Sequence, residues 1–130
     1  MNEHERGFLA FLTQPTSRRM ETLLENGEKR RRDVRALLNH FVQLDPRFCR
    51  RLAGNEAMSA NVEATLTKLG APPNCYVLAA NNHLDGRYMP LGEALSAVMG
   101  MGDGAFVSCL PGHLGFYEYE DVKSSFLLAR

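Results

Sequence analysis

Tryptophan is absent from the 130-residue chain, and no apolar run approaches the roughly 20 residues a membrane-spanning helix needs. Phenylalanine, tyrosine, leucine and the six methionines must therefore fill the large core volumes. Cysteine is scarce and odd in number: Cys49, Cys75 and Cys109 include no C-x-x-C pair. That pattern argues against a disulfide framework and for a reducing compartment. Net charge is also absent, so the chain has no long-range pull towards nucleic acid or anionic membrane. Residues 8–12 are apolar over only a few positions and follow two glutamates, unlike a signal peptide. The expectation is a soluble, cytoplasmic protein. No His-Glu-x-x-His, no Ser/His/Asp order and no paired catalytic carboxylates are present. The sequence therefore calls for no cofactor, no metal and no named reaction.

What is present fits one globular domain over residues 1–130. Hydrophobic residues make up 45% and charged residues 23%, enough of the first to build a core. The charge is split unevenly. Residues 1–70 hold 12 Lys and Arg against 9 Asp and Glu, whereas residues 71–130 hold 3 against 6. The two halves can attract each other within a molecule or between two.

Residues 5–14 read as a short helix pinned by Phe8, Leu9, Phe11 and Leu12, and Pro15 ends it. Met20, Leu23, Leu24, Val34, Leu37, Leu38, Phe41 and Leu44 then recur at spacings of three and four, in phase across Gly27. This phase predicts one helix over 16–44. The alternative is that Asn26-Gly27 closes one helix and opens a second, since glycine is favoured just past a helix end. Lys29-Arg30-Arg31-Arg32 and Arg35 fall within it. Arg30, Arg31, Arg32 and Arg35 form a candidate basic patch, but they spread round the helix. Glu21, Glu25, Glu28 and Asp33 lie among them, and no aromatic residues interleave to stack bases. A salt-bridged, solvated face is the plainer account. A short helix over 46–52, capped by Asp45, and another over 59–69 complete a helical region at 5–70.

Residues 75–129 carry the fold-level signal. Apolar runs at 75–80, 105–110 and 114–119 read as strands, with a helix from 90 to 99 between the first two and a last strand at 125–129. Leu91, Ala94, Leu95, Val98 and Met99 make the helical stripe. Pro111-Gly112 suits a tight turn. The predicted class is α+β: N-terminal helices packed on a small mixed sheet of about four strands, β-α-β-β-β. Tyr117, Glu118, Tyr119 and Glu120 alternate aromatic and acidic, so that strand is expected to show one face to solvent. The glycines at 100, 102 and 104 precede a strand rather than a helix, which argues for a tight passage rather than a phosphate loop.

If the strands at 75–80 and 105–110 are joined by a helical crossover, they are parallel and their ends share one rim. His83, Asp85, Arg87, Cys109 and His113 would then meet there as a candidate ligand rim. Cys109 with His113 could form a nucleophile and base or two metal ligands; Cys109 and Cys75 also read simply as small buried groups. Three functions follow in order. The first is a binding or regulatory module, self-associating as a homodimer through the 16–44 helix or taking a protein partner. The second is a small-ligand protein or enzyme using that rim. The third is a nucleic-acid binder using the arginines, which the composition disfavours.

Overall fold

The computed structural model describes residues 1–27, 31–40, 42–121 and 124–130, with the backbone only at Arg31 and His40. Its helices are α1 (Glu3–Phe8), α2 (Gln14–Glu25), α3 (Arg31–His40), α4 (Ser59–Lys68) and α5 (Leu91–Val98). Its strands are β1 (Cys49–Leu52), β2 (Asn74–Ala79), β3 (Arg87–Pro90), β4 (Ala105–Leu110), β5 (Leu114–Glu118) and β6 (Ser125–Ala129). The strands form one antiparallel sheet in the order β1-β6-β5-β4-β2-β3. The class is α+β, as expected, but the sheet has six strands and is wholly antiparallel rather than a mixed sheet of four.

Side chains alternate across a strand, and both faces of this sheet are apolar. Cys75, Val77, Val107, Phe116 and Leu127 face α4 and α5, which bring Val62, Leu66, Leu91, Leu95 and Val98. Tyr76, Leu78, Phe106, Tyr117 and Leu128 face the N-terminal helices with Phe8, Phe11, Met20, Val34 and Leu38. Helices therefore cover the sheet on both sides. This corrects the expected wet face at 117–120: Tyr117 and Glu118 are buried and Tyr119 is half-buried. The hydroxyls of Tyr117 and Tyr119 donate to the carbonyls of Leu38 and Val42, tying the sheet to α3 and the segment after it.

The single helix expected over 16–44 is two helices. α2 ends at Glu25, capped by Asn26, and Gly27 takes φ 73°, which stops a right-handed helix. α2 and α3 then pack beside one another. The apolar phase runs through the break because both helices press on the same sheet face. Among the described residues, the apolar stripe that motivated a homodimer is covered by the chain's own sheet. Residues 46–52 are a turn followed by β1, not a helix; the ladder with β6 overrides the local capping signal. Glu28, Lys29 and Arg30 of the expected salt-bridged face lie outside the described residues.

The sharpest correction concerns β2 and β4, which are antiparallel. β3 lies where no strand is expected, between the 75–80 strand and the helix, and it returns the chain alongside β2 until Pro90 stands opposite Asn74. α5 thus departs from the start of β2 rather than from its end. It delivers the chain to Ala105 opposite Ala79, so β4 runs back the other way.

Candidate functional site

On the α4/α5 side of the sheet the two helices leave the ends of β1, β6 and β5 open. Ser125 stands opposite both Leu52 and Glu118 in the ladders, so three neighbouring strand ends form a floor. One wall is the 3-10 turn Gly54–Ala57 with Ser59 at the start of α4; the other is the end of α5 with Ser96, Met99 and Gly100. Together they bound an open cleft of about 870 Å³, with Arg51 on its rim.

Glu118 lies at the floor. Leu114, Phe116 and Glu118 occupy successive inward positions of β5, so an acid continues an apolar row. Glu118 is only 2% exposed. Its Oε2 accepts the Gly100 N–H at 2.9 Å, and its Oε1 accepts the Ser125 hydroxyl at 3.2 Å. Gly100 can offer that N–H because the chain leaves α5 there with φ 79°, in the left-handed region that favours glycine. Burial raises the Glu118 pKa from its ordinary carboxylate value. The bonds from Gly100 and Ser125 oppose that shift, and the negative charge of Asp121 adds to it. Among the described residues no Lys, Arg or His pairs with Glu118.

The residues of the expected rim are divided between the two ends of the β2/β4 pair, because those strands are antiparallel. His83, Asp85 and Arg87 follow the end of β2, and His83 and Arg87 are exposed. Cys109 is buried near the end of β4, and His113 is exposed, its Nδ1 3.2 Å from the Arg130 carbonyl. Burial pushes the thiols of Cys49, Cys75 and Cys109 up to about 12. They are thus protonated near neutral pH, the form that is a poor nucleophile.

Asp85 has a different role from the one expected. Its Oδ1 accepts the Ala79 N–H at 3.1 Å, and its Oδ2 lies 3.8 Å from Arg35 Nε. One member of the candidate basic patch thus meets one member of the candidate rim, joining α3 to the loop after β2. Arg32 is exposed, and Arg30 lies outside the described residues. On the other sheet face, His4 Nδ1 sits 2.7 Å from the buried Ser108 hydroxyl. The Tyr76 hydroxyl donates to Glu5 at 2.7 Å. These contacts clamp α1 to the sheet and open onto no described cleft. Among the described residues no group of three His, Cys, Asp or Glu side chains could hold a metal ion, and no helix is long and apolar enough to cross a membrane.

Fold and site together define an α+β domain with an antiparallel sheet clad on both faces and an acid-floored cleft at one end of it. Comparison of the chain with protein-family models, with curated proteins and with solved structures found no match. The functional reading rests on the cleft itself.

Proposed function

We propose that the chain is a small-molecule-binding domain whose site is the cleft over Glu118. One observation carries this reading: an ionisable side chain, 2% exposed, lies at the floor of an open cleft of about 870 Å³. A buried carboxyl is costly to keep, and a leucine would continue the row of Leu114 and Phe116 more cheaply. Perturbed acids in concave sites are commonly retained for what they bind or do. The cleft volume falls in the range of small-molecule sites, and its lining mixes apolar side chains with a few polar groups. The protein-binding reading draws on the charge split, which stands, and on a long helix and solvent-facing Tyr117 and Tyr119, which the fold replaces, so the small-ligand reading takes precedence.

Filling the cleft tests this. Ser96 is exposed on α5 and lines the opening, so Ser96→Trp can occupy the space without touching the core. A panel of small polar compounds screened by thermal shift should contain members that raise the Tm of the unmodified protein. The same compounds should lose that effect in Ser96→Trp, whose own unfolding free energy without ligand stays within about 0.5 kcal/mol of the original. Shifts of equal size in both proteins would refute the proposal.

A further inference from the structure

We infer that the cleft selects a ligand carrying a protonated nitrogen on an apolar body, with that nitrogen seated on Glu118. The inference rests on the reading of the cleft as a small-molecule site and names what the site takes.

The argument starts from charge. Carboxylates elsewhere in the chain have a cationic partner, as Asp85 has Arg35, Asp45 has Arg47 and Glu56 has Arg50. Glu118, far more buried than Glu56, has none among the described residues. Among the described residues, three groups bear on it. Ser125 comes from β6, Gly100 from the end of α5 and Asp121 from the turn after β5, while Arg51 of β1 stands exposed across the cleft. Gly100 and Ser125 offer neutral donors, Asp121 is a second negative charge, and Arg51 is a cation at the rim rather than on Glu118. An anion brought to this floor would meet the charge of Glu118, whereas a cation would complete it.

Hydrogen-bond capacity points the same way. An ionised carboxylate offers about four acceptor positions, and the protein fills one on each oxygen. Positions remain for a donor-rich group such as an ammonium or guanidinium, and charge-assisted bonds of that kind are the strong ones. Leu52, Ala57 and Met99 on the surrounding walls give an apolar lining for the rest of the ligand. A bare metal ion fits less well, because one carboxyl and neutral hydroxyls are a poor donor set for it.

Three probes of matched size separate the possibilities: benzylamine, benzyl alcohol and benzoate. Each is titrated while the amide resonances of Gly100 and Ser125 are followed. Benzylamine should shift both resonances and bind the tightest, with benzoate the weakest. Glu118→Gln keeps the shape and removes the charge, and should weaken benzylamine by roughly tenfold or more. In the unmodified protein, benzylamine affinity should rise as pH rises through the raised Glu118 pKa, because the amine stays charged while the carboxyl ionises. That pH profile decides the matter even where Glu118→Gln does not fold. Tightest binding by benzoate would overturn the inference while leaving a small-molecule cleft standing. A flat pH profile, unchanged affinity in Glu118→Gln or no response at Gly100 and Ser125 to benzylamine would overturn it as well. Failure of the broader reading shows separately, in the Ser96→Trp comparison.

Discussion

Replacing Phe106 with alanine is expected to remove about 3–5 kcal/mol of stability, the usual cost of emptying a buried aromatic site. Phe106 is 1% exposed and lies at the middle of the sheet face that carries the N-terminal helices. Its ring stacks on Phe8 with centroids 4.2 Å apart, and Phe11 tilts against it at 6.4 Å. The substitution therefore removes the surface onto which both the end of α1 and the 3-10 turn after it are folded. A domain of this kind commonly has only 5–15 kcal/mol in hand, so a large part of the molecule's stability should go. Urea unfolding of Phe106→Ala and Phe106→Leu checks it, and the leucine should recover part of the loss. A cost under about 1 kcal/mol for the alanine would show that the helices do not depend on this ring.

Gly104→Ala should cost about 3 kcal/mol, towards the upper end for forcing extra volume into a packed place. A Cβ on Gly104 would stand 2.2 Å from the Leu38 carbonyl oxygen and 2.6 Å from its carbon. Both are backbone atoms of α3, so no side chain can swing aside. The Gly104 N–H also donates to Asn39 Oδ1, and a displaced helix would lose that bond. Gly27 makes the useful comparison. A Cβ there meets none of the described residues within 4 Å, but φ is 73°, so Gly27→Ala should carry mainly the left-handed backbone cost of about 1–2 kcal/mol. Denaturant titration of the two variants should rank Gly104→Ala as clearly the worse. Equal costs would mean that α3 can move off the sheet freely.

That tight passage is one place where the sequence was legible, since three glycines leading into a strand already argued for close packing. α4, α5, β2, β4, β5 and β6 were legible as well, because each carries an apolar run or stripe with a turn residue beside it. β1 and β3 were not. Cys49-Arg50-Arg51-Leu52 is an edge strand with one buried side chain, and it is a strand only because β6 supplies the ladder. Arg87-Tyr88-Met89-Pro90 ends in proline, which an edge position tolerates, and its Tyr88 is 62% exposed. Missing that one strand reversed β4 and assembled a rim that the fold spreads over two ends.

The cleft was half visible. Tyr117 and Glu118 do alternate, but periodicity reports opposite faces without saying whether either is wet. The stronger signal was an acid in phase with Leu114 and Phe116. Arg51, Ser59, Ser96 and Ser125 carry no motif, and only the ladder register and the helix ends bring them near Glu118.

Crystals soaked with a library of small fragments, amines among them, test the cleft most directly. Fragments should collect between residues 51–59 and 96–100, with a nitrogen within hydrogen-bonding distance of Glu118. Fragments bound repeatedly elsewhere, with the space over Glu118 holding only water, would contradict the proposed site.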